Sequence, residues 1–148
     1  MNIKNYTSGV DAMRSISKIE EMLITFGAVN ISKTAAGGRV TEIMFFIQDE
    51  KKRSFCVKLP ARVEVIEKVF QDQVKRARAG TRDKMREQAE RTAWRFMAEW
   101  VQMNLNLIEL GQAETLEVFM PYLYNPASKQ TLYQIQSESG FKALTHNA

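Results

Sequence analysis

Residues 29–59 read VNISKTAAGGRVTEIMFFIQDEKKRSFCVKL, and the period of this stretch decides the fold class. Val29 and Ile31 alternate with polar residues as far as Thr34, and Ala35-Ala36-Gly37-Gly38 has the chemistry of a hairpin turn. From Val40 to Gln48, Ile43, Phe45 and Ile47 share one face while Met44 and Phe46 occupy the other. A strand apolar on both faces belongs in the middle of a sheet. Asp49 to Lys52 is a charged turn, after which Phe55, Val57 and Leu59 alternate with Ser54, Cys56 and Lys58 as a half-buried strand. Three strands joined by two short turns predict an antiparallel β-meander, and Ile3 to Tyr6 offers a fourth strand at an edge.

Outside this stretch the period becomes helical. Val10, Met13, Ile16, Ile19, Leu23 and Phe26 recur at steps of three and four, with Ser8 or Asp11 to cap the helix and Gly27 to end it. Pro60 suits the first turn of a second helix, whose stripe is Val63, Ile66, Phe70 and Val74. Beyond Gly80, Ala89, Ala93, Phe96, Trp100, Met103, Leu107 and Leu110 are spaced 4-3-4-3-4-3, and Trp94, Val101, Leu105 and Ile108 widen the stripe. This predicts a helix of about 25 residues, some 37 Å long at 1.5 Å per residue, contacted on more than one side. Gly111 stops it, a shorter helix runs from Thr115 to Leu123, Asn125-Pro126 turns the chain, and Thr131 to Ile135 forms another helical turn. The expected fold is α+β in one domain over residues 1–148: a helix and β-meander (1–59), a helical part built on one long helix (60–140) and a loose tail (141–148).

Composition narrows the class of function. The chain has 148 residues, 45% hydrophobic and 26% charged, enough to bury a core without staples. The single cysteine, Cys56, allows no internal disulfide and no Cys-rich zinc site, and His146, the one histidine, lies too near the end to serve it as a base. Gly37-Gly38 lacks the G-K-[ST] of a phosphate loop. Glu50 and Lys52 form an E-x-K of the kind that nucleases use, without the second acid on a neighbouring strand that such a metal site needs. Glu109, Glu114 and Glu117 read as a solvated acidic edge. These readings predict no catalytic site, no metal and no cofactor. With no leader segment and no long apolar run, the expected location is the cytoplasm of a bacterial host cell.

Charge is distributed unevenly. Lys75, Arg76, Arg78, Arg82, Lys84 and Arg86 fall within 12 residues against Asp83 alone, whereas Phe96 to Ser128 contains no Lys or Arg. Six cations at the start of a long helix suit the phosphates of a nucleic acid; Arg91 and Arg95 extend the row, and Trp94 is a candidate for stacking on a base. The plainer alternative is a solvated helix junction with Arg86–Glu90 and Glu87–Arg91 pairs.

The segment EQAERTAWRFMAEWVQMNLNLIELGQAETLEVFMPYLY, residues 87–124, resembles part of a family of small phage and prophage proteins with an ERTAWR start, a tryptophan-bearing helix and an E-V-F-x-P-Y ending. Such proteins are similar to neighbours of replication and recombination genes. The resemblance implies a nucleic-acid role and supplies no catalytic residues. Two expectations follow: a non-catalytic binder of nucleic acid, single-stranded and not sequence-specific, or a phage-encoded protein that inhibits or sequesters a host defence factor through its acidic, aromatic C-terminal half. Met44 and Phe46 on the second face of the middle strand and a long helix apolar on two sides leave apolar surface in need of cover, which predicts a homo-oligomer with Trp100, Met103, Leu107 and Leu110 at or near the interface. The competing arrangement folds Thr115 to Ile135 back over the same stripe within one chain.

Overall fold

Helix α1 (Ala12–Phe26) begins where Asp11 accepts a hydrogen bond from the Met13 backbone N–H, and ends where Gly27 turns left-handed at φ 105°. There the N–H groups of Gly27 and Ala28 both reach the Leu23 carbonyl, which satisfies the carbonyls a helix end leaves open. The computed structural model describes residues 3–5, 8–74 and 79–146, the side chains of Ala79 and Gly80 excepted.

Three strands follow: β1 (Val29–Ala36), β2 (Arg39–Gln48) and β3 (Ser54–Pro60), antiparallel in the order β1-β2-β3. Gly37 and Gly38 both take positive φ, 60° and 78°, in the tight turn between β1 and β2, a geometry that glycine adopts without a Cβ penalty. Ile43, Phe45 and Ile47 pair across β3 with Leu59, Val57 and Phe55, and this face is the inner one. The opposite face carries Met44 against Lys58 and Phe46 against Cys56. The free edge, β1, is irregular between Val29 and Ser32, where Asn30 has φ 53°. A bulge and an exposed Lys33 blunt that edge against pairing with another chain.

Helix α2 (Val63–Asp72) lies against α3 (Ala79–Glu109), a 31-residue helix that also packs on α1. The chain returns through α4 (Thr115–Phe119), a 3-10 turn (Met120–Tyr122), a two-residue hairpin of β4 (Tyr124–Asn125) with β5 (Gln130–Thr131), and α5 (Leu132–Glu138). The core fills the space between the inner sheet face and these helices: Ile16, Ile19 and Leu23 of α1, Trp94, Ala98 and Val101 of α3, and Phe119. Phe119 meets Phe45 edge-to-face at 5.6 Å and Trp100 at 6.0 Å. Each large side chain withdrawn from water here stabilises the fold by about 1.5–3 kcal/mol.

The α+β class, the first helix, the meander and the long helix are as the sequence predicts. The helix predicted over Thr115 to Leu123 ends at Phe119 in a 3-10 turn, the sequence does not predict the β4–β5 hairpin, and further details differ. Ile3 to Asn5 form a turn rather than an edge strand, and Tyr6 lies outside the described residues. Pro60 closes β3 opposite Glu42 instead of opening a helix; at the last position of a strand its missing N–H costs the ladder little. Gly80 falls within α3 rather than before it. Along α3 the buried apolar residues are Ala89 and Ala93 of the 4-3 seam together with Trp94, Ala98, Val101 and Leu105, so three of the residues that widened the predicted stripe join the core. Met103 and Leu110 of the 4-3 seam stay 62% and 73% exposed.

Candidate nucleic-acid interface

Lys75, Arg76 and Arg78 lie outside the described residues. Of the remaining predicted contacts, Arg82, Lys84 and Arg86 are exposed on the first turns of α3. At about 100° per residue, Lys84, Arg91 and Arg95 fall within about 40° of one another on the helix, while Arg82 and Arg86 point about 160° away from Lys84. The cations therefore occupy two faces. Arg86 borders a cavity of about 130 Å³ together with Arg39, Glu64, Glu67 and Glu90, and those carboxylates compete with a phosphate for it. Lys84, Arg91 and Arg95 form the more continuous row.

That row is held in place by local contacts. The Arg91 guanidinium donates to Gln88 Oε1 from Nε and Nη2 at 3.2 and 2.9 Å. Gln88 Nε2 donates to the Ser8 carbonyl, and Thr92 Oγ1 donates to the Asn5 carbonyl at 3.0 Å, so the N-terminal segment is tied to the middle of α3. Arg95 Nε lies 3.3 Å from Glu99 Oε1, and Lys4 Nζ lies 2.8 Å from the other oxygen of the same carboxylate. The Lys4 ammonium above all, then Asn5 and the charge of Arg95, hold Glu99 below the usual carboxylate range against the opposing effect of burial. The expected Arg86–Glu90 and Glu87–Arg91 pairs are replaced: Glu90 pairs with Arg39 at 3.2 Å, and Arg91 turns to Gln88.

Trp94 belongs to the core and offers no ring face to a base. It is 0% exposed, and its indole N–H finds no acceptor among the described residues. Trp100 is covered by its own chain, with Phe119 and Tyr122 edge-on at 6.0 and 5.5 Å. The fold-back of the C-terminal segment thus shields the tryptophan that was expected at an oligomer interface. Leu107 is half-buried, and of that set Met103 and Leu110 are exposed.

The sequence reading marks Met44 and Phe46 on the outer face of the sheet as in need of cover, but not the C-terminal segment that lies beside them. Met44 and Phe46 line an apolar cavity of about 370 Å³ with Cys56, Leu123 and Tyr124. Beside it, a polar cavity of about 360 Å³ is lined by Lys58, Arg62, Tyr122, Tyr133 and Gln134 among others. Lys58 Nζ sits 4.8 Å from the centre of the Tyr124 ring and 3.4 Å from Glu42 Oε2. The two-faced apolar pattern of β2 was the available signal; the aromatic wall comes from residues 121–134, which no local pattern connects to the sheet.

Burial pushes the Cys56 thiol above its ordinary range, with the nearby Lys58 charge opposing, so the group is a poor nucleophile at neutral pH. Among the described residues no group of three or more His, Cys, Asp or Glu side chains could hold a metal ion, and no helix is long and apolar enough to cross a membrane. Compared with known proteins, the chain matches no protein-family model, no curated protein and no solved structure.

Proposed function

We propose that this is a non-catalytic nucleic-acid-binding protein of a phage or prophage, acting in the cytoplasm of the bacterial host. The observation that carries the reading is the row of Lys84, Arg91 and Arg95 on one face of α3. It extends the cationic run that begins at Lys75, and no Lys or Arg follows between Phe96 and Ser128. Such a row neutralises consecutive phosphates and releases their counterions, which gives affinity without sequence preference. The resemblance of residues 87–124 to phage proteins found near replication and recombination genes supports the same reading. Fluorescence anisotropy with labelled oligonucleotides tests it. Log affinity for a single strand should fall with log salt at a slope of about −0.7 per phosphate contacted, and charge reversal at Lys84, Arg91 and Arg95 together should flatten that slope. Absence of binding at low salt would remove this reading.

A second reading rests on a different observation. Met103 and Leu110 share one exposed face of α3 in a region without cations, and such a surface suits a protein partner. That partner is either a second copy of the chain or a host factor that the protein inhibits or sequesters. Light scattering across a wide concentration range detects the first, and a stoichiometric partner recovered from nuclease-treated host lysate identifies the second.

A further inference from the structure

The two cavities on the outer face of the sheet are consecutive segments of one trough. Its floor is the outer row of β2 and β3, in which Glu42 faces Pro60, Met44 faces Lys58, Phe46 faces Cys56 and Gln48 faces Ser54. At about 3.3 Å per residue this floor is about 20 Å long. One wall is the returning C-terminal segment: Tyr122 and Tyr133 stand beside the half of the trough at Pro60, and Tyr124 beside the half at Ser54. Lys58, stacked on Tyr124, marks where the halves meet.

We infer that this trough is a stacking platform for single-stranded nucleic acid, with Phe46 and Tyr124 receiving bases. The inference rests on the nucleic-acid reading above and adds a second surface to it. Met44, Phe46 and Tyr124 belong neither to the buried core nor to the half-buried residues packed against it, so their apolar surface lies outside the core cluster. Rings on an open antiparallel sheet suit bases, which all have a π-face to offer.

Cations reach the trough from both ends. Exposed Arg62 lies at one mouth, and the β2–β3 turn with exposed Lys51, Lys52 and Arg53 lies at the other. Glu42 is neutralised by Lys58 and Asp49 by Arg53, and Lys51, Lys52 and Arg62 stand against Glu50, Glu64 and, beside the turn, Glu114, so the rings rather than net charge select the occupant. A peptide added as an extra strand fits less well. Leu123 already bridges to Val57 on the outer edge of β3, which occupies backbone groups that an incoming strand would need.

The trough adds stacking, and the α3 row adds charge, so the two surfaces separate by experiment. Phe46→Ala and Tyr124→Ala should each weaken binding of a labelled single strand about 5- to 150-fold. The slope of log affinity against log salt should remain that of the unaltered protein, and duplex binding should be unaffected. Phe46→Leu keeps apolar bulk without a ring and should weaken single-strand binding as Phe46→Ala does; cooperative thermal unfolding within a few degrees of the unaltered protein confirms that each variant is folded. If the unaltered protein binds single strands and these variants bind equally well, the platform is refuted while the cationic row stands. If the unaltered protein binds no oligonucleotide at low salt, the nucleic-acid reading fails and the platform fails with it.

Discussion

Phe45 and Phe46 are the same residue type, adjacent on one strand, and the protein uses them in opposite ways. Phe45 is buried completely and meets Phe119 edge-to-face. Phe46 faces away from the core and lines an open trough. The pleat alone separates them, because successive side chains on a strand leave on opposite faces. What differs is the cover: α1 and α3 pack over the inner face, while the outer face receives only the edge of the returning C-terminal segment. The inner face therefore carries stability, and the outer face is available for binding.

Truncation measures this contrast most directly. Phe45→Ala should cost about 3–5 kcal/mol of unfolding free energy, whereas Phe46→Ala should cost about 1 kcal/mol or less. Urea titration at constant m-value checks both, and equal losses would break the comparison. A double-mutant cycle between Phe45 and Phe119 sharpens it, with a coupling of about 0.5–1.5 kcal/mol expected from the edge-to-face contact.

The same division runs along α3. Trp94→Ala should also cost about 3–5 kcal/mol. Trp94→Phe should cost much less, because it removes an indole N–H that is buried without a partner among the described residues. A loss for Trp94→Phe as large as for the alanine variant would mean that the N–H has a partner after all.

Polar ties on the open side of α3 give a smaller, pH-dependent effect. The folded state lowers the Glu99 pKa through Lys4 and Asn5. The stabilisation is therefore fully present above the unfolded value, about 4.3, and is lost as pH falls through the lowered folded value. Glu99→Gln should flatten that part of the acid limb in a series of thermal melts, and an unchanged limb would assign the acid loss to other carboxylates. The smallest effect is expected at Met103 and Leu110. Changing either to Gln should move stability by no more than about 0.5 kcal/mol in a monomer. A larger loss that grows on dilution would place this face in an assembly.

Much of this architecture is legible locally. Period-2 alternation locates β2 and β3, two consecutive glycines locate the hairpin, and Asp11 and Gly27 delimit α1, because each depends on backbone conformation and neighbouring residues alone. The cationic run is equally plain in the sequence, and for Arg82, Lys84 and Arg86 the helical period alone spreads it over two faces. Trp94 shows where such reading ends. Its neighbours Arg91 and Arg95 suggested a surface position, yet its side chain points into the space that α1 and the sheet enclose.

By itself the sequence determined the order and type of the main elements, since helix and strand periods, caps and turn residues act over a few positions. Only the tertiary structure decided which side of α3 became core. The 4-3 seam is core at Ala89 and Ala93 and gives way to Ala98, Val101 and Leu105 further along, and where that change falls depends on elements that pack from far away in the chain. The same holds for the trough. Phe46 and Tyr124 are 78 positions apart, and they line one cavity because Phe119, anchored on Phe45 and Trp100, draws the following residues across the edge of β3.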